Sequence, residues 1–441
     1  MSQGAGDAIP RILLKEVPKG AKIIDIYWGL QKFGTITYIG LGNDNAVIEF
    51  ADRISVGKVL SSHPVRVKTN TVRASHEPEW KSISGLVNMH ETFTLDPDIK
   101  AVLQNEDSFN QKIADLVSMA DKLTLDFDDD IDDGVGSRER HPVCAVLERI
   151  LPDELVPNVR VYPFGSRVSG TALETSDLDI FIDCGDTFYG EYVPTVEELV
   201  SIVQTVKRQL AKAWPEFNHV TAIPRARVPI VKFLHCPSNT RCDAAFTNGI
   251  GCRNARLLRF VLSLDSRIRP LLLFLKRWVY SIDLTPVARN SPRPELTSHA
   301  LAMVTFTFLQ TVKPPILPPI KGMKEAANYS LKVAGWETAF CNDSEQFRIT
   351  DPHDRRSVRE LLLGFLQCFQ RIDWQRMAAS PLDGAFVPRQ SVPRIVPTKS
   401  AAMVVLDPFN LSRNLTVNVS DVALCRLCAT CALTVREMTS R

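Results

Sequence analysis

Two aspartates one residue apart, Asp177 and Asp179 in SDLDIFID, interrupt a run that otherwise reads as a buried strand. The apolar, partly β-branched LDIFI suits a sheet interior. Strand side chains alternate between faces, so both carboxylates fall on one face, about 7 Å apart along the chain. Like charges that close repel unless a cation stands between them, so the pair asks for a metal. Upstream, Gly165 and Ser166 form a Gly-Ser turn. Glycine adopts backbone angles that other residues avoid and lets a phosphate approach the main chain, while serine adds a hydroxyl donor. A third acid, Asp243 in TRCDAAFTN, lies on a later strand-like segment. Three carboxylates from neighbouring strands can hold two divalent ions about 3.5–4 Å apart. Magnesium, or manganese, suits an all-oxygen site that shares its shell with substrate phosphates. The chemistry that fits is nucleotidyl transfer, in which a terminal hydroxyl attacks the α-phosphorus of a nucleoside triphosphate and pyrophosphate leaves. Asp183 continues the alternation but ends the strand, where an acid facing solvent is expected.

Several elements must position these acids. Residues 11–70 read as strand, helix, strand, strand, helix, strand, through RILLKEV, AKIIDIYWGLQKFG, TITYIGL, NAVIEF, DRISVGKVLSS and VRVKT. That β-α-β-β-α-β order is the plan of an RNA recognition motif (RRM), assigned to residues 1–75. Its base-stacking places fall on Leu13, Asn45 and Val47, none aromatic, so a protein contact or dimerisation is expected of this unit rather than stacking on RNA. Residues 76–106 read as linker. A helix from about Asp107 to Lys122 opens a mixed α/β catalytic domain over 107–255. From 256 to 441 the pattern is helical, and a cleft between the two units is the expected ligand site. The fold class is therefore α+β. DFDDDIDDG (Asp126–Gly134) reads as a solvated acidic loop rather than a cation site. Cys425, Cys428 and Cys431 stand at helical spacing and read as the buried face of one helix, not as a metal cluster.

With 441 residues the chain exceeds one compact core, and 45% apolar with 23% charged residues marks an ordinary globular protein. A net charge of +2 leaves nucleic-acid contact to local basic patches. No apolar run reaches the ~18 residues of a membrane span. The ten cysteines show no disulfide-framework spacing, which points to an intracellular, reducing compartment. Nucleus or cytoplasm is favoured, with the mitochondrion open if a transit peptide has been removed.

The segments PFGSRVSG, SDLDIFID, ARVPIVKF, CDAAFTN, LDSRIRPLLLFLKRW, LTSHALAMVTFTFLQ, PPILP and LDPFNLSRNLTVNVS occur in one order. That set resembles the template-independent RNA terminal nucleotidyltransferases, the family of terminal uridylyltransferases and their related poly(A) polymerases, over about residues 107–437. Within it the likeness is to the U6 small nuclear RNA uridylyltransferases, also described as speckle-targeted poly(A) polymerases, and next to the mitochondrial poly(A) polymerases. The resemblance implies a polymerase β-like nucleotidyltransferase domain over 107–255 and a helical domain of the poly(A)-polymerase-associated type over 256–441. It also implies a catalytic triad of Asp177, Asp179 and Asp243, and Gly165 and Ser166 holding the triphosphate. Asn248 would meet the ribose, Lys276 the triphosphate and Ser298 the nucleotide. The partners implied are UTP or ATP and an RNA 3′ end.

Two departures from the family pattern bear on the base. His299 stands where a tyrosine usually stacks, and offers less stacking area. Arg413 stands where uridine-selective members carry histidine. Arginine donates and cannot accept, which suits uracil carbonyls, so UMP addition is expected slightly over AMP. The poly(A)-like C-terminal motifs lean towards ATP, and a catalytically inactive RNA-binding member is the remaining alternative. Asp407 fits the same recognition loop, though Asp before Pro is also a plain turn former. Arg225, Arg227, Arg253 and Arg256 are expected to guide RNA phosphates.

Overall fold

The computed structural model describes residues 9–62, 64–76, 89–125, 141–151, 159–226, 228–282, 296–349, 351 and 353–440. The acidic run Asp126–Gly134 and Arg227 lie outside these.

Strand alternation builds the N-terminal unit: Ile12 and Leu14 of β1 (Arg11–Lys15) are fully buried against the helices. The chain continues through α1 (Ile23–Leu30), β2 (Ile36–Leu41), β3 (Asn45–Phe50), α2 (Arg53–Ser61), β4 (Val65–Val67), β5 (Asn70–His76) and β6 (Met89–Thr92). These strands form one sheet in the order β4-β5-β1-β3-β2-β6. VRVKT does not close the sheet as expected. It supplies only the short β4, and β5 takes the place beside β1. The segment read as linker is also corrected. Met89–Thr92 adds β6 to the edge of β2, and Asp96 caps α3 (Pro97–Leu103). A four-residue strand is too short to show a period, so the sequence hid it. On the outer face Leu13, Tyr38 and Val47 form a buried cluster, and Arg11 is buried against Glu49.

The helix α4 (Glu106–Leu123), expected to open the catalytic domain, packs elsewhere: Phe109 meets Phe274 of the helical unit at 5.0 Å between ring centres. After α5 (Pro142–Ile150) come β7 (Arg160–Phe164), α6 (Ser166–Ser169), β8 (Leu178–Asp183), α7 (Val196–Lys212), β9 (Phe217–Ile223), β10 (Ile230–His235) and β11 (Thr240–Ala245). The sheet order is β7-β8-β11-β10-β9, with β8 and β11 parallel. Leu178, Ile180 and Ile182 pack with Val143 and Leu147 of α5 and Val203, Val206 and Leu210 of α7. The alternate residues of β8 must therefore face the opposite way. Asp183 is not the solvent-facing acid expected. It is 6% exposed, and its Oδ1 accepts from the Thr187 N–H and hydroxyl at 2.7 and 2.8 Å and from the Phe188 N–H at 3.2 Å, anchoring the turn after β8.

The helical unit comprises α8 (Ile250–Ser263), α9 (Ile268–Ser281), α10 (Ser298–Thr311), α11 (Ile320–Glu325), α12 (Ser344–Phe347), α13 (Val358–Arg371) and α14 (Asp421–Thr439). Two small hairpins interrupt it, β12 (Lys332–Val333) with β13 (Trp336–Glu337) and β14 (Met377–Ser380) with β15 (Ala385–Pro388). The expected boundary at 255/256 falls inside α8. Cys425, Cys428 and Cys431 are buried on α14, and burial pushes the Cys428 thiol well above its ordinary range. That face meets Tyr27 of α1, so the N-terminal and helical units share one core. Ion pairs rim the contact: Lys22–Asp421, Arg426–Glu91 at 2.8 Å and Arg436–Asp52 at 2.8 Å.

Truncating Tyr27 to alanine should cost about 3–5 kcal/mol, the usual range for a buried aromatic. Because the cavity would open inside a shared core, both units should unfold together. Calorimetry that resolves a separate N-terminal transition would contradict that core.

Candidate active site

Strand register sets one row of residues across the sheet: Phe164, Asp179, Asp243, Lys232 and Thr221, on β7, β8, β11, β10 and β9. Residues paired in register point to the same face, so Asp179 and Asp243 stand side by side. Asp177 is two residues before Asp179 and shares its face. The chain leaves the row at Gly165, whose φ of +74° lies in the region that glycine favours. A Cβ there would overlap the Asp179 carboxylate. Conformation and close approach both require glycine at this turn. Ser166 follows as the first residue of α6. In front of the row lies a cleft of about 560 Å³, roofed by α8, α9 and the start of α10. Its walls bring together Gly165, Ser166, Asp177, Asp179, Asp243, Lys276, Ser298, His299 and Arg413.

Burial, then the Asp243 and Asp177 carboxylates, push Asp179 up to about 7, with Lys276 and Lys232 opposing. Burial raises Asp243 as well, against the hydrogen bond from Lys232. Lys232 Nζ lies 2.5 Å from Asp243 Oδ2, and Arg241 Nε 3.1 Å from Asp177 Oδ1. Cations of the same sheet thus draw two of the three carboxylates. Accordingly, no three His, Cys, Asp or Glu side chains among the described residues converge as a preformed metal cage. The donor set still fits a hard divalent ion: three carboxylates on one face, repelling one another at the floor of an open cleft.

The Gly-Ser turn is held from behind. Three cationic side chains from two consecutive helices, α8 and α9, grip carbonyls at the end of α6: Arg259 Nη1 donates to Val168 O at 3.2 Å, Arg269 Nε to Gly170 O at 2.7 Å, and Lys276 Nζ to Thr171 O. Asp121 of α4 fixes Arg269 at 2.6 Å. Burial brings Lys276 down to about 8, against the pull of Asp179. The sequence reading missed Arg259 and Arg269, because their partners are backbone carbonyls distant in the chain.

At the other end of the cleft, burial pulls His299 below its ordinary value, Asp407 opposes this and Arg413 adds to it. The His299 Nε2 is buried without a hydrogen-bond partner. Asp407 is fully buried behind Arg413. Its Oδ1 accepts from the N–H groups of Phe409 and Asn410 at 2.9 and 3.0 Å, and its Oδ2 lies 3.9 Å from Arg413 Nη1. Asp407 therefore shapes the turn and steadies Arg413; it does not line the cleft.

Other expected residues are not brought to the cleft. Asn248 Oδ1 accepts from the Ile250 N–H at 3.2 Å and caps the start of α8. Asn254 reaches the cleft wall instead, 8% exposed with an unpartnered buried Oδ1. It belongs to a stripe of Gly251, Asn254, Ala255 and Leu258, and this helical spacing was the signal available in the sequence. Arg253 is a structural residue rather than an RNA contact: 2% exposed, it donates to Tyr329 Oη and Thr338 O and lies over Phe340. Arg256 borders a separate small cavity with Tyr162 and Phe188. Arg225 is exposed just past β9. Tyr280, unremarked in the sequence, lines the cleft.

A sheet with three acids on one face, closed over by a helical unit, is a nucleotidyltransferase fold. Residues 135–263 match the family described as "Poly(A) RNA polymerase, mitochondrial-like, central palm domain". The curated relatives include the speckle targeted PIP5K1A-regulated poly(A) polymerase of Danio rerio, 25% identical over 89% of this chain and 54% of that protein. The mitochondrial poly(A) RNA polymerase of Mus musculus is 28% identical over 65% of this chain and 50% of that protein. The chain thus spans about half the length of these relatives. Among solved structures, mtPAP in complex with ATPγS superposes with a TM-score of 0.61 at 22% identity, covering 97% of this chain and 92% of the other. The Cid1 poly(U) polymerase in a MgGTP-bound form gives 0.57 at 20%, covering 75% and 95%. At such identities the structural likeness is one of fold. The resemblance to RNA terminal nucleotidyltransferases read from the motifs is the one that the family model and the curated relatives return.

Asp179 has an ordinary value of 3.8 and sits near 7 in the fold, so the folded protein holds a proton that the unfolded chain releases. Metal-free stability should therefore fall as pH rises from about 4 to about 7. Asp179→Asn should be more stable than the parent at pH 8 in EDTA by on the order of 1–3 kcal/mol. It should converge with the parent near pH 4. Parallel melting curves for both proteins at every pH would refute this assignment.

Proposed function

We propose that the chain is a template-independent RNA terminal nucleotidyltransferase, adding UMP slightly in preference to AMP to RNA 3′ ends. The observation that carries this is the register row, with Asp179 beside Asp243 and Gly165 against the Asp179 carboxylate. Asp177, Asp179 and Asp243 would hold Mg2+ or Mn2+. Bound there, two such ions would activate the attacking hydroxyl and neutralise the leaving phosphates. Gly165 opens the main chain to the triphosphate, Ser166 offers its hydroxyl, and Lys276 supplies a buried positive charge fixed on Thr171 O. Asn254, with its free amide oxygen, is the residue we assign to the ribose, in place of Asn248. The primer 3′ hydroxyl attacks the α-phosphorus, the bond to the β-phosphate breaks, and pyrophosphate leaves. Asp243 would assist the hydroxyl. Ser298 and His299 flank the nucleotide, and Arg413 donates to the uracil carbonyls. ATP is the alternative nucleotide: two named relatives are poly(A) polymerases, and solved mtPAP complexes hold ATPγS, UTP, CTP and GTP.

A second, catalytically silent reading draws on the Lys232–Asp243 and Arg241–Asp177 pairs, which occupy carboxylates that metal ions would need. The N-terminal unit, read as RRM-like, would serve a protein contact or dimerisation, because Leu13 and Val47 are buried and present no stacking platform. An intracellular setting is supported by ten free cysteines; the relatives' names include both a speckle-targeted and a mitochondrial enzyme. No helix among the described residues is long and apolar enough to cross a membrane.

The purified chain should extend a labelled RNA oligonucleotide with UTP and, less well, ATP in Mg2+ or Mn2+. Asp177→Asn with Asp179→Asn should reduce extension by at least a thousandfold, and Arg413→His should raise the UTP/ATP ratio of kcat/KM severalfold. RNA binding without incorporation of any of the four nucleotides would favour the silent reading.

A further inference from the structure

We infer that Lys232 and Arg241 are resident counter-cations of the carboxylate triad, and that they pass to the terminal phosphodiesters of the RNA primer when metal ions take the carboxylates. The inference rests on the reaction proposed above, and on three features of the sheet.

The first is partnership. Lys232 stands in register with Asp243 and meets its Oδ2; Arg241 meets Asp177 Oδ1 and donates to Thr175 O at 3.3 Å. A metal ion at these carboxylates would compete with the ammonium and the guanidinium for the same negative charge and repel both, so the two side chains would be displaced towards solvent. The second is freedom to do so. Lys232 is 44% exposed and Arg241 65% exposed, and ion pairs in contact with solvent hold weakly. Lys276, by contrast, is buried and tied to a backbone carbonyl, which keeps it on the triphosphate side.

The third feature is direction. The sheet order lays out the site in a line: the Gly165 turn beyond β7, the acids on β8 and β11, then β10 and β9. In-line displacement puts the attacking hydroxyl opposite the leaving pyrophosphate. With the triphosphate at Gly165, Ser166 and Lys276, the primer must arrive over β10 and β9. Lys232 lies on that path, Arg241 beside it, and exposed Arg225 at the end of β9 continues the positive line. Phosphate contacts of this kind position a strand without reading its sequence. Metal loading and primer capture become one exchange: the cations that quiet the acids in the absence of metal hold the RNA in its presence.

The test measures RNA and metal binding on the full chain, without nucleotide and without turnover. Anisotropy of a 5′-labelled single-stranded RNA should show tighter binding in Mg2+ than in EDTA. Lys232→Gln and Arg241→Gln should each weaken binding severalfold in Mg2+, have little effect in EDTA, and flatten the logarithmic salt slope by about 0.7. Lys232→Arg should retain the parent's behaviour. Lys232→Gln should also bind Mn2+ more tightly by EPR, since a competing cation has gone. Melting temperatures within a few degrees of the parent would exclude misfolding, and Thr221→Val provides a neighbour on the same row that carries no charge. Should the parent extend RNA while both glutamine variants keep its affinity and salt slope, the inference is overturned and the proposed reaction stands. Should the parent fail to extend RNA yet show the Mg2+-dependent gain and its loss in the variants, the enzyme reading falls and the cation exchange stands.

Discussion

One constraint organises the molecule: the parallel pairing of β8 with β11 in the register that sets Asp179 against Asp243. A slip of one residue would send every side chain of a strand to the opposite face. Leu178, Ile180 and Ile182 would then meet the cleft, and the acids would meet the apolar surfaces of α5 and α7. The hydrophobic core on one face therefore enforces the charge cluster on the other. Burying carboxylates together is unfavourable in isolation, which is why Asp179 is pushed so far upward. Packing on the far face supplies the free energy that holds them there.

Around that cluster the fold arranges two sets of cations with different duties. Arg259, Arg269 and Lys276 come from α8 and α9 and grip the carbonyls that end α6. They are fixed by geometry and make the Gly-Ser turn a property of the helical unit as much as of the sheet. Lys232 and Arg241 come from the sheet itself and remain exposed. Cations tied to backbone carbonyls position, and exposed ones paired with carboxylates can exchange partners.

The helical unit is assembled from distant parts of the chain. Phe109 of α4 packs on Phe274 of α9, and α14 carries its buried cysteines onto Tyr27 of α1. The N-terminal unit is thereby built into the body that roofs the cleft. On the outer face of its sheet Leu13 and Val47 are buried in a cluster with Tyr38. That burial is the physical ground for expecting a protein contact of this unit.

Local patterns made much of this legible. The D-x-D spacing, the Gly-Ser turn and the third acid each report a property of a short stretch of chain, and Gly165, Ser166, Asp177, Asp179 and Asp243, together with Lys276, Ser298, His299 and Arg413 from the family resemblance, line one cleft. Legibility failed where a residue's role depends on what lies across from it. Asn248 and Asn254 are equally polar, and only the packing of α8 turns one to a cap and the other to the cleft. Arg253 looks like a phosphate contact until Tyr329, Thr338 and Phe340 surround it. Asp183 looks exposed until the following turn folds back onto it. The β6 strand is invisible until β2 offers it an edge. Sequence by itself determined which reactive side chains share a strand or a turn, because side-chain type and spacing within one strand or helix are local. Tertiary structure alone decided which charges meet, because pairing between strands and helices far apart in the chain is set by how their apolar faces close.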